Sequence, residues 1–84
     1  MRFAFFYFMK DEPDLIGVAA PKHHVYWTEK KLDGFMGGPF GDGSGGFLTF
    51  RAPDVETAMA LIDGDPFVTE DLLASSWIKE WRAD

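Results

Sequence analysis

The run Arg2-Phe3-Ala4-Phe5-Phe6-Tyr7-Phe8-Met9 limits most strongly what this chain can become. Successive side chains of a strand point to opposite faces, and here both alternating sets are apolar. The run therefore predicts a strand buried on both sides, and the rest of the chain must supply two layers of cover. The 84 residues suffice for one domain, 1–84, without a second core. A chain of this size buries only about 60–65% of the surface its unfolded form exposes. The sequence has no cysteine, so disulfides and cysteine-based metal sites cannot staple it. Nine Phe, three Trp and two Tyr carry more ring surface than one small core hides, since each ring can bury roughly 150–250 Å². Association with another copy is the remaining source of burial.

The first strand ends at the turn cluster Asp11-Glu12-Pro13-Asp14. Pro21 suits a first-turn position, so the sequence predicts a helix that begins near Pro21, carries His23, His24, Tyr26 and Trp27, and stops by Gly34. Lys30 and Lys31 are expected in its last turn, where the helix dipole favours cations. Residues 35–40 and 47–50 read as two strands around the flexible stretch 41–46. A second helix follows, with Asp54 as its N-cap, Val55, Ala58, Met59, Leu61 and Ile62 at helical spacing, and Gly64 at its end. Asp65-Pro66-Phe67 opens a further helical turn, and Ser75 to Trp81 reads as the last strand.

The order strand, helix, strand, strand, helix, strand is the split βαβ arrangement. The expected fold is α+β and ferredoxin-like: one four-stranded antiparallel sheet with both helices on one face. The other face keeps the second apolar set of the first strand, joined by Phe47, Phe50, Trp77 and Trp81. An exposed apolar patch of that extent is unusual on a monomer, so the expected partner is a second copy, in a twofold homodimer whose sheet faces bury each other.

The net charge of −6 argues against nucleic acid and anionic membrane surfaces as partners. No apolar run approaches the roughly 20 residues needed to span a bilayer. The amino terminus is basic and then apolar, like a signal peptide. It is nevertheless short and aromatic, and Asp11-Glu12-Pro13 follows it with no small-residue cleavage site. The expected location is the cytoplasm.

His23 and His24 are the only histidines, and histidine exchanges protons near neutrality without special tuning. Helical neighbours point about 100° apart, so at most one of the two is expected to face a pocket. The alternative is a surface or helix-packing pair. No His-x-x-x-His spacing exists, and no metal is expected. Asp65 precedes Pro66, which suits a turn residue; it would also suit a carboxylate bonded to a histidine, fixing the tautomer and raising the basicity of the other ring nitrogen. Spacing alone cannot bring residues 23 and 65 together. The glycine-rich stretch 37–46 lacks the lysine of a phosphate loop and lies between strands, so it reads as a turn whose tip can form a lip over a pocket. Ser44 has no nucleophile-elbow context. Tyr26, Trp27, Phe40, Trp77 and Trp81 suit a core or interface and can also line a small-molecule pocket.

Three segments combine into a pattern. His23-His24-Val25-Tyr26-Trp27 resembles a His-x-x-Tyr-Trp helix, Gly38-Pro39-Phe40 with Ser44-Gly45-Gly46 resembles a Gly-Pro-Phe…Ser-Gly-Gly hairpin, and Asp65-Pro66-Phe67-Val68 resembles an Asp-Pro-Phe-Val signature. In this order and spacing they resemble the YCII-related family over nearly the whole chain. The resemblance implies a ferredoxin-like subunit of a dimeric α/β barrel, with a His and an Asp beside a pocket. By motif these are His23 and Asp65, with His24 in reserve. Tyr26, Trp27, Phe40 and Ser44, from the same motifs, are the expected substrate contacts.

Two functions remain open. One is an enzyme that transfers a proton or performs an elimination on a small organic substrate, aromatic ones included, with His23 as base, Asp65 as its orienter and no cofactor. The other is a non-catalytic dimeric module that binds a small ligand or serves as an accessory. His23 bonded to Asp65 in a solvent-connected pocket favours the first; His23 in bulk water removes its base.

Overall fold

The computed structural model describes residues 1–83. The chain runs β1 (Arg2–Met9), α1 (Pro13–Glu29), β2 (Met36–Pro39), β3 (Gly45–Arg51), α2 (Val55–Asp63), α3 (Pro66–Thr69) and β4 (Leu73–Glu80). The strands form one sheet in the order β2-β3-β1-β4, antiparallel at every pairing. This is the expected ferredoxin-like α+β fold.

β1 lies in the middle of the sheet because it is apolar on both sides. Phe3, Phe5 and Tyr7 point toward the helices and are buried. They pack with Leu48 and Phe50 of β3, Ala19 and Trp27 of α1, Ala58 and Ile62 of α2, and Phe67 of α3. Trp27 is the hub, its ring 5.4 Å from that of Phe50 and stacked on Phe35 at 6.1 Å. Asp54 caps α2 by accepting the Thr57 N–H at 2.8 Å, and Gly64 closes that helix.

The opposite face carries Phe6 stacked on Trp77 (5.1 Å), Phe8 tilted against Phe40 (5.8 Å), and Phe47 at 6.4 Å from Trp81. Phe50 does not belong to that face. The register pairs Phe3 with Phe50 and Phe6 with Phe47, so the two-residue repeat turns Phe50 inward, where it is fully buried.

The first helix differs most from the sequence expectation. It begins at Pro13, not near Pro21, and Pro21 is interior to it. Pro13 fits because an initial residue needs no intrahelical N–H. Pro21 leaves the Gly17 carbonyl without its donor, but Gly17 and Pro21 are both exposed, so water can serve that carbonyl. Lys30 caps the helix and Lys31 follows with φ 50°, so the last turn holds no basic residue. Among the described residues, no helix is long and apolar enough to cross a membrane.

Candidate active site

Asp65 stands at the junction of α2 and α3. It follows Gly64 and caps α3 with its own carboxylate, Oδ1 accepting the Phe67 N–H at 2.9 Å. Its side chain has no exposed surface. A buried ionised carboxylate is costly unless its oxygens are bonded, and here both are. His23 Nδ1 donates to Oδ1 at 2.8 Å and to Oδ2 at 2.9 Å, and the Trp27 indole donates to Oδ2 at 2.8 Å. His23 and Trp27 are four residues apart on α1, so they project from one face of the helix and hold the same carboxylate.

Because an ionised carboxylate can only accept, Nδ1 carries a ring hydrogen, and in the neutral imidazole Nε2 holds the lone pair. The Tyr7 hydroxyl lies 3.3 Å from Nε2 and donates to it. The imidazole is clamped in plane by Phe67, whose ring stacks on it at 4.1 Å and 14°. Burial first, and the negative charge of Asp65 second, push the Tyr7 phenol above its ordinary value, so it remains a protonated donor.

A cavity of about 270 Å³ opens beside this group, close to the lower end of small-molecule pockets, roughly 300–1,000 Å³. Tyr7, Met9, Ile16, Ala20 and Phe67 form an apolar wall around His23. The β2–β3 hairpin supplies the lip through Gly38, Pro39, Gly43 and Gly45. Among the described residues no group of three His, Asp or Glu side chains could hold a metal ion.

The structure brings His23 and Asp65 together and distributes the other sequence candidates more widely. His24 also borders the cavity, contrary to the expectation that only one histidine does. It is exposed at the rim while His23 points inward, because the cavity extends around the flank of α1. Trp27 is buried behind Asp65 and does not line the cavity. The Tyr26 hydroxyl donates to the Leu61 carbonyl at 2.6 Å, against Gly64, away from the cavity. Phe40 packs on Phe8 outside the cavity. Ser44 lies just beyond the lip, in a neighbouring depression, its carbonyl accepting the Met9 N–H. Sequence reasoning missed Tyr7 and Phe67. Tyr7 left one signal: it is the only hydroxyl in an otherwise apolar run, and a buried phenol needs a partner.

The sequence model of the YCII-related domain matches residues 1–82. Among solved structures, the chain is similar to 5-chloro-2-hydroxyhydroquinone dehydrochlorinase from Burkholderia phenoliruptrix AC1100, in its complex with 2,5-dihydroxybenzoquinone. The TM-score is 0.85 at 20% sequence identity, over 100% of this chain and 96% of that one, which is a likeness of fold. No curated protein matches the chain.

Proposed function

The chain belongs to the YCII-related family, and from that premise we propose that it is an enzyme in which His23 and Asp65 act as a general-base pair on a small, oxygen-bearing ring substrate. The observation that carries this reading is the fully buried Asp65 carboxylate within 2.9 Å of His23 Nδ1, beside an apolar cavity bordered by His23. The fold likeness to a dehydrochlorinase of a hydroxylated ring supports the same chemical class.

In the proposed reaction the Nε2 lone pair takes a proton from the substrate. The electron pair of the broken bond passes into the ring system. In an elimination, the leaving group departs with its own pair, and the net loss is one acid molecule, HX. In an isomerisation, His23 returns the proton at another position. The imidazolium formed in either case is stabilised by the Asp65 carboxylate at its Nδ1. Such a base contributes typically ~10²–10⁴ in rate. Cavity contacts would come from Tyr7, Phe67 and the hairpin lip, with Trp27 acting through Asp65.

The same proposal includes a homodimer. Trp77 and Trp81 are 42% and 47% exposed on the face away from the helices, beside Phe6 and Phe47. A second copy of that face would remove them from water. Sedimentation at micromolar concentration should give twice the chain mass; a monomer there contradicts the dimer and leaves the base pair untouched.

The enzyme reading is tested by incubating the protein with 5-chloro-2-hydroxyhydroquinone and measuring chloride release. Release by the unmodified protein that falls roughly 10²–10⁴-fold in His23→Ala supports it. Equal release by both contradicts it.

A further inference from the structure

Tyr7 is placed with more care than a core aromatic requires. It is 3% exposed, and among the described residues its hydroxyl has one hydrogen-bond partner, His23 Nε2 at 3.3 Å. Its ring crosses β3 at Gly46, its partner in the ladder. A Cβ at Gly46 would lie 2.5 Å from the Tyr7 oxygen and 2.8 Å from Cζ. Gly45 is equally constrained, since a Cβ there would run into the Tyr7 carbonyl. The glycine pair at the start of β3 thus seats this tyrosine, and a Cβ at 46 would press on both the phenol and the Gly38 carbonyl, 2.9 Å away.

The rest of the cavity wall offers a ligand few polar atoms. Met9, Ile16, Ala20 and Phe67 are apolar, and His24 stands at the rim. A ring oxygen placed beside His23 therefore meets the Tyr7 hydroxyl as its nearest neutral donor.

We infer that Tyr7 is a second catalytic group of the site: its hydroxyl leaves His23 Nε2 and donates to an oxygen of the bound ring while Nε2 accepts the proton from that ring. This deepens, and rests on, the reading of His23 as a base. The bond that breaks is the substrate's O–H or C–H. Its proton goes to Nε2, and its electron pair becomes negative charge on the oxygen that Tyr7 contacts. Tyr7 transfers no proton; it keeps its hydrogen and donates it to the oxyanion, as preorganised donors do elsewhere. Burial and the Asp65 charge favour the protonated phenol and so suit it to this task. The ligand class that follows is a single planar ring with a hydroxyl or carbonyl oxygen at, or conjugated to, the position that loses its proton.

The test is a binding titration with 4-nitrophenol, whose visible absorbance reports whether its hydroxyl is ionised, on the full chain and on Tyr7→Phe, Gly46→Ala and His23→Ala. Thermal unfolding of each variant checks the fold, and Tyr7→Phe keeps the ring that fills the core. A hydrogen bond to a charged group is worth roughly 10- to 100-fold in affinity. The expected result is binding weakened by about that factor in Tyr7→Phe, with the bound probe ionising at higher pH, and a shift of the same sign in Gly46→Ala if that variant folds. Tyr7→Phe that binds and ionises the probe as the unmodified protein does overturns the inference. So does an unmodified protein that takes up no probe, because the ligand class is then wrong. The base reading fails separately if His23→Ala matches the unmodified protein while Tyr7→Phe does not.

Discussion

Trp27 donates its indole hydrogen to Asp65 Oδ2 at 2.8 Å, in a place that neither residue shares with water. The bond joins the centre of the core to the candidate site, since the same indole packs on Phe50 and Phe35. Trp27→Phe keeps much of the ring and removes the donor, leaving one carboxylate oxygen bonded by His23 alone. The loss of one hydrogen bond to a charged oxygen costs about 1.5–3 kcal/mol, in addition to the lost volume. Urea unfolding is expected to register a loss of at least that size, with activity reduced less than in His23→Ala.

Asp65→Asn keeps the size of the side chain and an oxygen to cap α3. It replaces Oδ2, which also accepts from Trp27, with an N–H₂ that can donate to Nδ1 but opposes the indole N–H. The histidine then favours hydrogen on Nε2, and the basic lone pair no longer faces the cavity. Turnover on any substrate of the unmodified protein should fall roughly 10²–10⁴-fold while the fold persists. Steady-state kinetics together with a circular dichroism spectrum separate the two effects.

Alkaline pH provides an independent check on Tyr7. Burial, and then the Asp65 charge, raise its pKa in the folded protein, whereas the unfolded phenol ionises near about 10. The folded state therefore holds the proton more tightly. This contribution to stability is fully present below pH ~10 and declines as pH rises above it toward the folded value. Tyr26 adds a smaller effect of the same sign, again from burial before the charges of Asp65 and Asp63. Tyr7→Phe removes the larger effect. Between pH 9 and pH 11, a window set by the reference value of about 10, the melting temperature of Tyr7→Phe should fall less than that of the unmodified protein.

The sequence was most legible where one residue type meets one local demand. The double-faced run of β1, Asp54 as a cap and Gly64 as a stop all follow from rules of a few residues, and the element order follows from them. The start of α1 was hidden because Pro21 is a strong local breaker that the helix absorbs on its wet side. Phe50 was assigned to the wrong face because register, which depends on pairing with β1, decides it. The site was half legible. Motif order pointed to His23 and Asp65, but Tyr7 reaches Nε2 only because Gly46 lies opposite it on another strand. Trp27 was expected at a substrate and stands behind the carboxylate instead, since its four-residue offset from His23 gains meaning only once Asp65 lies against that helix face.

Pro21 lies inside α1 on an exposed face. Pro21→Ala restores an N–H toward the Gly17 carbonyl on an exposed face. Proline is about 3 kcal/mol less favourable than alanine inside a helix, and part of that is offset by the greater freedom of the unfolded chain. A gain of roughly 1–3 kcal/mol in chemical denaturation is expected, with activity unchanged.

The most direct test of the His23–Asp65 pair is nitrogen NMR of the histidine side chains in uniformly labelled protein, with His23→Ala to assign the signals. Above the histidine titration range, His23 should carry its hydrogen on Nδ1, with Nε2 bare; Asp65→Asn should move the hydrogen to Nε2. A His23 ring with its hydrogen on Nε2 in the unmodified protein, or one whose tautomer ignores the change at Asp65, contradicts the account, because the nitrogen available to the cavity would then not be a base.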